Sequence, residues 1–161
     1  MVDSVPDSQL LWCVLARTSA GIHAKRARTF HRFQHFYGCL SLLQYLRLND
    51  GLIYHFSLTT QDQLNLITLQ SMIASGETAI PYHADGELCR YYTVEDISTV
   101  MDAATAHKTF HVTYFNSLKA YINSMDSIVD ISKIEYGDEI PDEYQSDILK
   151  SLYASQNGEA L

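Results

Sequence analysis

The stretch TVEDISTVMDAATAHKTFHVTYFNSLKAYINSM, from Thr93 to Met125, has the clearest helical period in the chain. One set of side chains recurs every seven residues (Ile97, Ala104, His111, Leu118, Met125), and a second set interleaves with it (Met101, Lys108, Phe115, Ile122). This spacing is typical of a helix that buries one face. Thr93 is a credible N-cap, and Glu95 and Asp96 place negative charge where the helix dipole favours it. The stretch therefore predicts one long amphipathic helix with His111 in its apolar seam.

Composition limits the function classes. The 161 residues favour one domain, and the net charge of −8 argues against a nucleic-acid partner, since phosphate binding needs a basic surface. No stretch approaches the roughly 20 apolar residues of a membrane span, so we expect a soluble protein with no membrane partner. Cys13, Cys39 and Cys89 are too far apart in sequence to form a disulfide framework.

Charge is unevenly distributed along the chain. Residues 1–50 hold six of the eleven lysines and arginines but only three of the nineteen acids, which predicts a boundary near residue 45. We expect residues 1–45 to be a poorly determined N-terminal extension and residues 46–161 to be a single domain. Basic and aromatic side chains alternate in the extension (Lys25, Arg26, Arg28, Phe30, Arg32, Phe33, Phe36). Binding to single-stranded nucleic acid or a membrane surface, a loosely packed helix, and sequence added by a mis-called start codon all remain open for this segment.

The remaining elements predict an α+β fold. Asn49-Asp50-Gly51 marks a first hairpin, whose second strand should face the core with Leu52, Tyr54, Phe56 and Leu58. Asp85-Gly86 marks a second hairpin with a type I′ turn. Thr59 or Thr60 should cap a helix over 60–74, with a capping box formed by Thr60 and Gln63, and this helix should end before Gly76. A last helix should follow Pro141. We expect two β-hairpins, forming a small antiparallel sheet, packed with one long amphipathic helix and two or more shorter helices.

A metal site is the sharpest chemical hypothesis. His107 and His111 are four residues apart, the spacing by which two imidazoles on one helix face reach one ion. His83 and Cys89, together with Asp85, lie in the preceding hairpin and would complete a zinc site. No CxxC or HExxH pattern is present, and a histidine in an apolar seam is more often a hydrogen-bonded core residue. A small metal- or ligand-binding module is therefore the alternative function, and no cofactor is the main expectation.

Catalysis has little support in the sequence. Cys89 has histidines available to act as a base, but no nucleophile elbow and no glycine-rich phosphate loop is present. The paired acids lie at helix starts and turns, where capping explains them. We therefore expect a protein that is not an enzyme. Tyrosine suits half-wet interfaces, so one group of tyrosines is a candidate for partner binding, with a rim around a small core as the plainer interpretation (Tyr82, Tyr91, Tyr92, Tyr114, Tyr136).

Four stretches carry a resemblance to a known family: DGLIYHFSLTTQDQLNL, IPYHADGELCRYYT, AHKTFHVTYFNSLKAYI and IEYGDEIPDEYQSDILK. Over residues ~46–153 the chain resembles a phage- and prophage-associated family, labelled domain of unknown function 4376, whose members occur beside tail-fibre and tail-assembly genes. The resemblance implies a non-enzymatic tail component or tail-fibre assembly accessory protein. Its partners would be phage tail or tail-fibre proteins, with homo-oligomerisation open. It would act in the host cytoplasm during assembly, with a place in the virion also open.

Overall fold

The computed structural model describes residues 19–33 and 44–156 and shows an α+β fold. In chain order the elements are helix α1 (described over 19–33), β1 (Gln44–Arg47), β2 (Ile53–Phe56), α2 (Thr60–Ala74), β3 (Ala79–Tyr82), β4 (Arg90–Thr93), α3 (Val94–Ser124), α4 (Ile128–Lys133), a 3-10 turn (Asp142–Tyr144) and α5 (Asp147–Gln156). The predicted fold class, long helix and two hairpins are confirmed. The hairpins form two separate two-stranded antiparallel sheets in the described part of the chain, rather than one. None of the helices described is both long and apolar enough to cross a membrane.

The described residues group into two compact units. One contains residues 44–113, and the other combines 19–33 with 114–156. The division falls within α3, which contributes its first twenty residues, 94–113, to one unit and 114–124 to the other. The boundary expected near residue 45 and the single domain expected over 46–161 both stay predictions.

Five residues, 48–52, connect the two strands of the first hairpin. Leu48 N donates to Leu52 O at 3.1 Å, and Gly51 N donates to Leu48 O at 2.9 Å. Gly51 has a φ of 81°. This conformation is costly for a residue with a side chain, and glycine adopts it freely, which allows the short loop to close. Tyr54 and Phe56 are buried as expected, whereas Leu52 is exposed because it belongs to the end of the loop.

The connection between the strands of the second hairpin is longer than the sequence predicted. β3 ends at Tyr82 and β4 begins at Arg90, so seven residues connect them. Glu87 N donates to Ala84 O at 3.1 Å, which places the turn at Asp85-Gly86. Only the glycine of this pair has a positive φ, 77°. A type I′ turn needs two residues with positive φ, so the type I′ prediction was wrong.

Arg90 joins the two hairpins within the unit formed by residues 44–113. Its guanidinium lies 4.5 Å from the ring centre of Tyr54, 4.3 Å from that of Tyr92 and 3.4 Å from the Asp50 carboxylate. The Tyr54 hydroxyl donates to the same carboxylate at 2.7 Å, which holds the pKa of Asp50 below its ordinary value. A planar guanidinium can stack on aromatic rings and pair with a carboxylate at the same time, so this one side chain links the two hairpins.

The capping box of α2 lies one residue earlier than predicted. Thr59 is the N-cap: its Oγ1 accepts from Asp62 N at 3.2 Å, and its own N donates to Asp62 Oδ2 at 2.9 Å. The predicted pair, Thr60 with Gln63, was therefore wrong. Gln63 instead donates through Nε2 to Leu58 O at 3.0 Å. The predicted end of the helix is confirmed, since α2 finishes at residue 74.

The start of α3 is fixed to the first hairpin. Thr93 Oγ1 accepts from Asp96 N at 3.1 Å, which confirms the predicted N-cap. The buried Asp96 carboxylate also accepts from Asn49 N at 2.9 Å. This carboxylate therefore accepts a hydrogen bond from a loop amide and also places negative charge in the first turn of α3, where the helix dipole favours it. The stripe of α3 is fully buried towards both of its ends (Ile97, Val100, Tyr114, Leu118, Ile122).

Helix α1 packs against the C-terminal segment within the second unit. Phe33 and Thr29 are buried. The guanidinium of Arg26 donates to Met125 O, just past the end of α3, and that of Arg32 donates to Ile134 O, just past the end of α4. Cations at helix C-termini satisfy carbonyls that lack helical partners and complement the helix dipole. Two of the basic residues in the expected extension therefore have structural roles.

Thr59→Ala should lower the free energy of unfolding by about 1 kcal/mol, because it removes the N-cap acceptor of α2. Thr60→Ala is the matched control and should change it by no more than a few tenths of a kcal/mol. Urea denaturation followed by circular dichroism measures both. A larger loss for Thr60→Ala than for Thr59→Ala would contradict the assigned capping box.

Arg26→Gln should lower the stability of the second unit by about 1.5–3 kcal/mol, the usual contribution of a hydrogen bond to a charged group. Arg28→Gln, which removes the same charge from an exposed position of α1, should cost less than about 0.5 kcal/mol. Chemical denaturation of the two variants decides between a capping role and a general charge effect. Equal losses would contradict the capping role.

Candidate functional site

A groove lies between α2 and α3 within the unit formed by residues 44–113. It has a volume of about 160 Å³. Its lining comes from the loop before α2, from α2 itself and from the first half of α3 (Leu58, Gln63, Leu66, Ile67, Gln70, Met101, Ala104, Thr105, His107, Lys108). It is a concave site with apolar walls and a few polar groups, the type that small ligands usually occupy.

The lining of the groove combines apolar and polar side chains. Leu58 and Leu66 are buried in the hydrophobic core, and Met101 and Ala104 pack partly buried against it. Ile67, at 64% exposure, faces solvent at the groove. The lining contains no aspartate or glutamate, although the chain contains nineteen. Its single permanent charge is that of the exposed Lys108, so the groove combines apolar walls with one cationic side chain.

His107 lines the groove and carries a ring nitrogen without a hydrogen-bond partner among the described residues. Its Nε2 atom is buried and has no hydrogen-bond partner among the described residues. Its ring centre lies 4.4 Å from that of His111, one turn further along α3. Burial lowers the pKa of both imidazoles below 6.5, and the proximity of His107 lowers that of His111 further. Both rings are therefore favoured in the neutral form, in which an Nε2 atom can donate or accept a hydrogen bond.

The four predicted metal ligands do not converge. In the described ranges no group of three or more His, Cys, Asp or Glu side chains is placed to hold a metal ion. His83 lies in the loop after β3, with Nδ1 3.2 Å from Ala84 O, and Cys89 is exposed at the other end of that loop. The structure brings together only the two helical histidines, because the long connection of the second hairpin carries the other two ligands elsewhere. The four-ligand arrangement that the sequence predicted is therefore absent from the described structure.

The predicted partner-binding tyrosines are divided between the two units. In the first unit, Tyr82 and Tyr92 are buried against Phe56, with ring centres 6.2 and 6.3 Å away. Burial also raises the pKa of Tyr82 to about 12. Tyr91, which neighbours Tyr92 on the strand and so points to the opposite face, is 76% exposed. Within this unit Tyr91 alone of the predicted set is placed to contact a partner.

The other two tyrosines of the set lie inside the second unit. The Tyr114 hydroxyl donates to Asp138 O and accepts from Gly137 N, both at 2.8 Å. Burial raises its pKa to about 12. Its ring packs edge-on against Tyr136, with centres 5.1 Å apart. The plainer interpretation, a core with tyrosines around it, describes this pair, and a role in partner binding stays a prediction.

A polar network that the sequence analysis missed joins the two hairpins to α2. His55 Nδ1 lies 3.2 Å from Asp85 Oδ2. Ser57 Oγ lies 3.1 Å from Asp85 Oδ1 and 2.8 Å from Asp62 Oδ2. The serine hydroxyl therefore faces carboxylates rather than the imidazole, so this trio lacks the contact between nucleophile and base that acyl transfer needs. His55 and Ser57 are two residues apart and so lie on the face of the predicted strand opposite Tyr54 and Phe56, which was the available signal for this network.

Comparison of the chain with protein-family models, with curated proteins and with solved structures found no match. The resemblance to the phage-associated family therefore stays a prediction.

Replacing both helical histidines, His107→Gln with His111→Gln, should reduce the loss of stability on acidification. As pH falls through 6.5, the unfolded chain takes up a proton on each imidazole, whereas the folded chain takes it up only at lower pH. The folded state is therefore destabilised as pH falls through this window. Urea denaturation at about pH 7.5 and about pH 5.5, which span the ordinary histidine pKa, measures the effect. The same pH dependence in the variant and in the unmodified protein would contradict the buried neutral pair.

Proposed function

We propose that this protein acts by binding other proteins rather than by catalysis. The observation that carries the proposal is a surface patch on the first hairpin that includes two exposed apolar side chains, Tyr45 and Ile53. The hairpin patch consists of Tyr45 and Arg47 on β1 with Ile53 and His55 on β2. The strand register pairs Tyr45 with His55 and Arg47 with Ile53, so these four side chains share the face opposite the core.

The composition of the hairpin patch supports a binding role. Tyr45 is 73% exposed and Ile53 is 58% exposed. The outer face of a hairpin that packs its other face on a core is usually polar, so a tyrosine and an isoleucine lying diagonally across it are unexpected. Tyrosine and arginine are the side chains that protein interfaces favour. The Tyr45 ring also rests on His55, with ring centres 4.6 Å apart, which orders it before any partner binds.

We propose further that the partner is a bacteriophage tail or tail-fibre protein. The family resemblance of residues ~46–153 supports this context. The protein would then be a tail component or an assembly accessory protein that acts in the host cytoplasm during assembly. A second copy of the chain is the competing partner, because an apolar hairpin face can also bind itself. Nothing in the described structure favours the alternative metal-binding module, and it is not proposed.

The test is co-expression with the tail and tail-fibre proteins encoded beside this gene. The tagged chain should retain one of them through affinity purification and size exclusion. The double variant Tyr45→Thr with Ile53→Thr should weaken that complex about tenfold or more, because it removes the central apolar contacts. The matched control is Leu88→Thr with Ile148→Thr, which removes two exposed apolar side chains outside the hairpin patch and should leave the affinity within about twofold.

Three results would count against the proposal. A protein that purifies alone from every co-expression contradicts the phage context. Equal weakening by both double variants contradicts the hairpin patch as the binding surface. If the chain forms a dimer with itself and that dimer prevents binding to the tail protein, a second copy of the chain is the partner instead.

A further inference from the structure

We propose that the groove between α2 and α3 binds a small carboxylic acid with an apolar tail or ring. This inference does not rest on the proposed function, because it concerns a different surface of the same unit. It is carried by three observations: the size of the groove, the charge of its lining, and the buried nitrogen of His107.

The size of the groove limits the ligand. A cavity of about 150 Å³ lined by aliphatic side chains accommodates benzene. The groove, at about 160 Å³, therefore fits a ligand of about six to nine non-hydrogen atoms. Its apolar walls favour a hydrocarbon tail or ring over a sugar or a nucleotide, whose hydroxyls would lose their hydrogen bonds to water there.

The charge of the groove selects an acid. Lys108 lines the groove and makes no ion pair within the described residues. The lining contains no carboxylate that would repel an anion or attract an amine. Since the chain as a whole carries a net charge of −8, an isolated cation beside apolar walls is a local departure from the charge of the molecule. A carboxylate on an apolar ligand would be the complement of this lysine.

The buried nitrogen supplies a second contact. Nε2 of His107 is shielded from solvent, has no partner among the described residues, and belongs to a residue that lines the groove. A buried nitrogen without a hydrogen bond costs stability, so a ligand whose entry moves the side chains that cover Nε2 and supplies an acceptor there recovers that cost. In the tautomer protonated at Nε2, the imidazole donates to a carboxylate oxygen. Lys108 and His107 both line the groove, so one carboxylate head could meet both there.

The test is a titration of the full-length, ¹⁵N-labelled chain with hexanoate, followed by its amide spectrum. Hexanol and hexylamine serve as probes of the same length without the carboxylate. Hexanoate should shift groove amides saturably, with a Kd of about 1 mM or tighter. Hexanol should bind about fivefold or more weakly, since it lacks the charged acceptor, and hexylamine should bind more weakly still.

Variants locate the site. Ile67→Trp should abolish the shifts by covering the groove with a large ring, and it changes a residue that is already exposed, so the fold should tolerate it. Leu64→Trp, one turn earlier on α2 and 54% exposed but outside the lining, is the matched control and should leave the Kd within about twofold. Lys108→Gln should weaken hexanoate about threefold, and His107→Phe about fivefold, whereas Lys150→Gln on α5 should have no effect.

Each failure has a distinct meaning. No saturable shift with hexanoate overturns the proposal of a ligand site. Hexanol binding as tightly as hexanoate overturns the choice of an acid. Equal loss of binding in Leu64→Trp and Ile67→Trp overturns the assignment to this groove. All three results are independent of the hairpin patch, whose double variant should bind hexanoate as the unmodified chain does.

Discussion

The apolar stripe of α3 has to be buried by two different groups of elements, and the rest of the structure follows from that constraint. Towards its N-terminal end the helix places Ile97 and Val100 in the core built by the two hairpins and α2. Towards its C-terminal end it places Leu118 and Ile122 in the unit that contains α1, α4 and α5. Burying these four side chains contributes about 1.5–3 kcal/mol each, far more than helix propensity provides. Packing at both ends therefore maintains a helix of 31 residues.

The middle of α3 is less buried than its ends, and that is where the polar chemistry lies. From Met101 to Thr113 no side chain is fully buried, although the stripe continues through Ala104 and His111. The groove follows the first part of this segment, and the buried imidazole atom of His107 belongs to it. A helix with a uniform leucine stripe would not leave such a site. His107 and the small side chain of Ala104 line the groove instead.

The sequence predicted these features unequally, for physical reasons. The long helix was predictable because its period, its N-cap at Thr93 and the absence of proline agree. The capping box of α2 was misplaced by one residue because two adjacent threonines each have a suitable partner three positions later, and only backbone geometry separates them. The exposure of the predicted partner tyrosines was not predictable, because Tyr91 and Tyr92 occupy opposite faces of one strand and composition does not say which face is covered. The convergence of the four predicted zinc ligands was not predictable either, because spacing along a helix says nothing about where a separate loop lies.

Amide hydrogen exchange along α3 tests the central claim most directly. If packing at both ends holds the helix, the amides near Ile97 and Val100 and those near Leu118 and Ile122 should exchange most slowly. The amides of residues 105–112 should exchange faster, because fewer buried contacts must break for them to open. Slowest exchange in that middle segment would show that the helix is held at its centre and would contradict the account.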